Sequence, residues 1–218
     1  MIEKKITQIW IGPKPPPLKW MNSWKEKHPD WEYSIFTDEM LKARTFKNQH
    51  LINRYYHTRM WCGVSDLIRY ELILEQGGFW PEADMVCLNN TEELFDMPDH
   101  YAYTCFENSK HTDPTYKNYM QPIMAANPGN KLLEEIVDTL HELKPGQLNP
   151  APYKSTGNHF LSRYVDRTEV LKIWPSHYFI PQYYARNAPY YKGPDKVYAE
   201  HNWGSTGMPW TTQYHEGE

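Results

Sequence analysis

Glu82 and Asp84 are two acids one residue apart, directly after the pair Gly77-Gly78 and the short run Phe79-Trp80-Pro81. In an extended chain residues i and i+2 face the same way, so the two carboxylates are expected side by side. Like charges that close repel, and water or a cation must relieve them. Magnesium and manganese favour such oxygen ligands, typically one or two carboxylates completed by substrate phosphates. Upstream, Asp66 and Arg69 lie three residues apart, a spacing that lets both project from one side of a helix. A carboxylate accepts hydrogen bonds from hydroxyls, and a guanidinium is a rigid fork for phosphate or hydroxyl oxygens. Each pair also has an ordinary reading. Glu82 and Asp84 are the kind of acids found on solvated turns, and Asp66 with Arg69 could be a surface ion pair worth roughly a few tenths of a kcal/mol.

The element that must position these groups is the helix between them. Val64, Leu67, Ile68, Leu72 and Leu74 are spaced to bury a broad face. Gly77-Gly78 then ends the helix, because glycine takes the left-handed cap conformation cheaply. Ahead of it, residues 5–11 form a β-rich run closed by Gly12-Pro13 and the prolines at 15–17, the expected first strand. Residues 18–27 predict a helix, 32–36 a strand, and Thr37-Asp38-Glu39 a helix start. Beyond the acids, a strand is expected at 101–106, a polar loop at 107–119, a return to the core at 121–126 and an amphipathic helix from Pro128-Gly129 to about Leu143. A last short strand is expected at 197–200, with a tail that folds as a flap or stays disordered. The expected fold is α/β, with a mixed, mainly parallel sheet flanked by helices and its site at the carboxyl ends of strands.

The run Ser65-Asp66-Leu67-Ile68-Arg69-Tyr70, followed by Gly77-Gly78-Phe79-Trp80-Pro81-Glu82-Ala83-Asp84, resembles glycosyltransferase family 32. These are the DXD-containing sugar transferases, more distantly akin to the clostridial toxin glucosyltransferase domains. One departure stands inside the motif: its first acid is Glu82, not Asp. The phrase Thr7-Gln8-Ile9-Trp10-Ile11-Gly12 is similar to the family's opening. Thr156-Gly157-Asn158 matches a Thr-Gly-Pro at the edge of its sugar pocket, with Asn158 in place of Pro. His201-Asn202-Trp203-Gly204-Ser205 is a looser match to its closing motif.

The resemblance implies a single GT-A type domain over residues 1–218, with the segment from about 198 as a flap over the donor. It implies Mn2+ or Mg2+ held by Glu82, Asp84 and His201. It also implies a nucleotide-sugar donor, UDP-sugar favoured, contacted by Gln8, Ile9, Trp10, Asp66, Arg69, Glu82, Ala83, Asp84 and Ser205. Asp66, Arg69 and Asp84 would carry the transfer to a glycan or other hydroxyl acceptor with retention of configuration. A catalytically weak nucleotide-sugar or glycan binder is the alternative; a glycoside hydrolase using the acid pair is a further one.

Composition sets the outer bounds. The 218 residues carry a net charge of −4, so no polyanion-binding surface is announced and no nucleic-acid partner is expected. Three scattered cysteines without a C-x-x-C suggest a reduced, cytoplasmic setting. No apolar run approaches the roughly 18–20 residues needed to span a membrane. Nor is there a P-loop, a Gly-x-Gly-x-x-Gly, a Gly-x-Ser-x-Gly or an H-E-x-x-H, which leaves kinase, dinucleotide, serine-hydrolase and zinc-protease readings unsupported.

Overall fold

The structure is a computed structural model that describes residues 1–108, 119–183 and 188–204, with Gln121 and Pro122 described by their backbone alone. Strand β1 (Lys5–Ile9) is buried at all but its first position, as a strand covered on both faces should be. It pairs in parallel with β2 (Glu32–Phe36) on one side and β3 (Gly78–Pro81) on the other. Strand β3 runs antiparallel to β6 (Met120–Ala126), and β6 antiparallel to β5 (Ala102–Phe106). At the edge β5 takes β7 (Leu171–Trp174) in parallel. The order is β2-β1-β3-β6-β5-β7, a six-stranded mixed sheet in which three of the five pairings are parallel.

Alternation along the strands divides the apolar residues between two layers. On one face Trp80, Ala102, Met124 and Ala126 share a core with α2 (Asp38–Lys42), α3 (Gln49–His57), α4 (Trp61–Gln76), α5 (Lys131–His141) and the short α6 (Asn158–Leu161). On the other, Phe79, Tyr103 and Ala125 join Trp24 of α1 (Leu18–Lys27), Phe95, Trp174 and Phe179 in an aromatic layer. A two-stranded ribbon, β4 (Met85–Cys87) with β8 (Ala199–His201), lies outside the main sheet. It docks on α1, where the Trp24 indole donates to the Met85 carbonyl at 3.2 Å and the Cys87 N–H donates to Ser23 Oγ at 2.8 Å.

Most element boundaries fall near expectation. The strand expected over 5–11 stops at Ile9, and the helix expected from Pro128-Gly129 starts at Lys131. Gly129 has φ 71°, so Asn130 becomes the cap, its Oδ1 accepting from the N–H groups of Leu132 and Leu133 at 3.0 and 3.2 Å. The polar stretch near 49–57 is the helix α3, which inserts Leu51, Ile52 and Tyr55 into the core. The strand expected at 197–200 is shifted to β8, and it pairs with β4 instead of joining the main sheet. The 107–119 loop lies largely outside the described residues, as does the tail from Ser205 onward. Among the described residues no helix is long and apolar enough to cross a membrane.

The two glycines do different work. Gly77, at φ 65°, ψ −160°, closes α4 in a conformation outside the left-handed helical cap that was expected, and its N–H donates to Ile73 O at 2.8 Å. Gly78, at φ 89°, is already the first residue of β3, and a Cβ there would meet the Lys5 carbonyl oxygen at 2.8 Å. Gly78→Ala is therefore expected to cost about 2–3 kcal/mol, read as a lowered urea midpoint with an unchanged slope.

His28 joins the C-terminus of α1 to the segment after β4. The Thr91 N–H donates to its Nε2 at 2.9 Å, which places the ring proton on Nδ1, 3.0 Å from the Trp24 carbonyl. Burial depresses the His28 pKa below the ordinary histidine value, against smaller opposing effects of the Trp24 carbonyl and Glu92. The unfolded chain therefore takes up this proton first. Stability from His28 is complete above about pH 6.5 and falls as the pH drops toward its lowered native value. Unfolding measured between pH 7.5 and 5 should show a decline that His28→Gln makes shallower.

Candidate active site

Strand β3 ends at Pro81, and the chain then turns instead of continuing extended. The Met85 N–H reaches back to the Glu82 carbonyl at 3.3 Å. Strand alternation is therefore not what brings Glu82 and Asp84 together, contrary to the sequence expectation. The turn does it, together with β8, whose pairing of His201 with Met85 sets the imidazole against both acids. His201 Nε2 lies 3.1 Å from Glu82 Oε2 and 3.3 Å from Asp84 Oδ1. One ligand atom from each of the three residues falls within 4.8 Å of the others.

Neighbouring elements hold every side of this cluster. Arg69, from α4, places Nη2 3.1 Å from Glu82 Oε1. Gln8, fully buried on β1, donates Nε2–H to the Glu82 carbonyl at 3.0 Å while its Oε1 accepts from Tyr33 at 2.7 Å. From the C-terminal segment, the Asn202 N–H donates to the Asp84 carbonyl at 2.9 Å and the Gly204 N–H to Asp84 Oδ2 at 2.7 Å. Trp203 between them takes φ 53°, a conformation costly for a residue with a bulky side chain. Its N–H donates to His201 Nδ1 at 3.2 Å, so the proton of the neutral ring sits on Nε2, facing the acids.

Burial disfavours charge on all these groups, yet the pattern is one of mutual support. For Glu82, burial is outweighed by Arg69 and then His201, which hold its carboxyl below the usual range. For Asp84, burial and the adjacent Glu82 charge prevail over His201, and its pKa rises. His201 is pushed up: burial opposes its charge, but Asp84, Glu82 and Glu107 outweigh it. Two acids whose pKa values are driven apart beside an imidazole form a negative pocket that a divalent cation would suit. The oxygen donors match Mg2+ or Mn2+ as they stand. His201 would serve as a ligand only after its proton moved from Nε2 and the Trp203 N–H gave up Nδ1.

The other expected site residues are mostly buried and held by contacts of their own. Asp66 and Arg69 are only 5% and 6% exposed, which rules out the surface ion pair. Asp66 Oδ2 lies 3.1 Å from Thr156 Oγ1, whose single proton is shared in prospect with the Pro152 carbonyl at 3.2 Å. The Tyr70 hydroxyl donates to the Thr156 carbonyl at 2.6 Å, so the Thr156-Gly157 segment is bound to α4 at two points. Ile9 points into the core and Ala83 is buried. Trp10 is half-buried just past β1, its indole N–H on the Lys14 carbonyl at 2.7 Å. Ser205 lies outside the described residues.

Glu107, whose charge reaches His201, escaped the sequence reading because it was assigned to the polar loop. Its signal is that of an acid directly after a predicted strand. Replacing Arg69 with Met would leave Glu82 partly buried beside Asp84 without its cation, and should lower unfolding free energy by about 3 kcal/mol. Arg69→Lys should recover part of that loss in the same urea titration.

Residues 18–106 match the family model described as "Glycosyltransferase sugar-binding region containing DXD motif". No curated protein matches the sequence. Among solved structures, the chain is similar to PaToxG glycosyltransferase, with a TM-score of 0.60 at 16% identity over 76% of this chain and 69% of that one. It is also similar to the UDP-bound glycosyltransferase domain from the YGT toxin, at 0.51 and 9% identity over 79% of each chain. A third likeness is to the galactosyltransferase LgtC in complex with donor and acceptor sugar analogues, at 0.53 and 12% identity over 97% and 94%. At such identities the likeness establishes the fold, which is GT-A. Residues 18–106 thus match the sugar-binding region of DXD-type glycosyltransferases and the chain takes a GT-A fold, in agreement with the resemblance in its sequence.

Proposed function

We propose that this GT-A chain, acting as one catalytic domain, is a metal-dependent, retaining glycosyltransferase. It would move a hexose from a nucleotide-sugar, UDP-sugar favoured, to a hydroxyl of a glycan acceptor in polysaccharide synthesis. The observation that carries the reading is the Glu82–Asp84–His201 cluster at the carboxyl end of β3, braced by Arg69. The YGT toxin domain with the same fold was solved with UDP, which supports uridine as the base. Three cysteines without a disulfide among them and no membrane-crossing helix among the described residues support a cytoplasmic site of action.

In this reading Glu82, Asp84 and His201 would hold Mn2+ or Mg2+. Bound there, the ion supplies Lewis-acid neutralisation of the leaving nucleoside diphosphate. Arg69 keeps Glu82 ionised and in place, and turns its remaining donors toward donor oxygens. Asp66, oriented by Thr156, accepts from hydroxyls of the donor sugar. Trp10 would offer a ring to the base, with Ile9 and Ala83 as further candidate contacts, and Gln8 acts one step back by fixing the Glu82 backbone. Ser205, next after Gly204 in the sequence, is a further candidate contact for the donor. The acceptor hydroxyl attacks the anomeric carbon on the face that the diphosphate leaves. The new C–O bond forms as the C–O bond to phosphate breaks, and the hydroxyl proton passes to the departing phosphate oxygen. No protein nucleophile is required.

A hydrolytic reading fits less well, since hydrolase acids flank the scissile bond whereas these two share one turn and one imidazole. A catalytically weak binder draws support from Arg69 already neutralising Glu82, with His201 hydrogen-bonded to its other oxygen. Thermal unfolding with Mn2+ plus UDP, and a transfer assay, separate the two. UDP at about 100 times its dissociation constant should add roughly 2.7 kcal/mol, only with metal present. Asp84→Asn should abolish that dependence and lower transfer at least about 100-fold. Full transfer by Asp84→Asn would sink the metal role, and tight binding without transfer or donor hydrolysis would favour the binder.

A further inference from the structure

Beyond the acid cluster, the same sheet edge carries a second polar pair. Ile123 on β6 pairs with Pro81, and Met120 pairs with Phe106 of β5. From Ile123 to Met120 the strand rises about 10 Å at roughly 3.3 Å per residue, so the end of β5 stands above the edge from which the 82–84 turn departs. Glu107 is the next residue. It is only 8% exposed, its N–H is fixed on the Tyr119 carbonyl at 2.8 Å, and its charge is felt at His201.

Opposite it, Asn158 opens α6 immediately after Thr156-Gly157, the segment that also anchors Asp66. The Asn158 amide nitrogen donates to Glu107 Oε2. A carboxylate accepts only, so that contact decides the amide orientation and turns Oδ1 the other way. There Oδ1 is buried without a hydrogen-bond partner among the described residues. A buried acceptor left unmatched carries a desolvation cost, and a ligand hydroxyl would remove it. Carboxylate oxygens accept more than one hydrogen bond each, so Glu107 and Asn158 Oδ1 present neighbouring acceptors.

We infer that Glu107 and Asn158 form a recognition point for adjacent hydroxyls of a sugar ring, and so help to set which sugar this protein accepts. The inference rests on the transferase reading of the cleft and deepens it. The pair belongs to this chain in particular, because Asn158 stands where the resembling family has proline, a residue with neither an amide donor nor a side-chain acceptor. The ring can be that of the donor or that of the acceptor; the chemistry is shared.

The test uses the full chain with Mn2+, UDP, a panel of UDP-hexoses with their deoxy analogues, and monosaccharide acceptors. Glu107→Gln and Asn158→Ala should bind UDP within about twofold of wild type, which reports an intact fold and metal site. Each should lose about tenfold in affinity for the preferred UDP-hexose, with no further loss for the matching deoxy sugar, if the ring is the donor's. If the ring is the acceptor's, donor affinity stays and the acceptor KM rises by about the same factor. Variants that keep UDP binding, sugar preference and acceptor KM all within twofold would overturn the inference. A wild-type protein that binds no nucleotide would instead bring down the transferase reading itself, and the inference with it.

Discussion

Two carboxylates held within reach of one imidazole, in a partly buried turn, are the condition on which the rest of this structure depends. The repulsion between Glu82 and Asp84 has to be met locally, and the chain meets it from three directions. Arg69 approaches from α4, His201 from β8, and the backbone N–H groups of 202 and 204 from the C-terminal segment. Arg69 comes from one part of the sequence, and His201 with the N–H groups of 202 and 204 from another. None would be in place if the sheet order or the ribbon were different.

That requirement explains the ribbon. Strand β8 lies outside the main sheet and, among the described residues, pairs only with β4. Its value is the register, which sets His201 opposite Met85 and thereby beside both acids. The ribbon is fastened to α1 through Trp24 and Ser23, and α1 in turn packs on the aromatic layer under the sheet. The strained backbone at Trp203 sits where the chain turns two successive N–H groups toward His201 and Asp84. Strain of this kind persists only where the surroundings over-determine it, and here they do.

The opposite layer performs the matching task. Helix α4 is buried over Asp66 and Arg69 as well as over its leucines and isoleucines, so its two polar groups are pre-set by packing. Thr156 and Tyr70 lock the loop before α6 to that helix. The loop then delivers Asn158 to Glu107 at the end of β5. Polar side chains are thereby drawn from both layers to one edge of the sheet, where ligands of open α/β sheets are generally found.

Much of this was legible from residue order alone. The periodicity of 62–76, the glycine pair and the acids after it located the helix, the strand and the start of the acid cluster, because those relations are local. So were the strand runs 5–9 and 32–36 and the amphipathic pattern of 131–141. What stayed hidden was non-local. Alternation suggested that Glu82 and Asp84 meet on an extended strand, whereas a turn and a distant histidine unite them. Nothing in the spacing of Arg69 reveals that Glu82 is its partner, or that Gln8 is used up between Tyr33 and the Glu82 carbonyl. Glu107 read as loop because one acid in a polar stretch has no period to betray it. Residue types and local spacing determined which groups this protein has for chemistry. Only the tertiary structure decided which of them share a charge environment, because burial and pairing depend on strand order and register across stretches of more than a hundred residues.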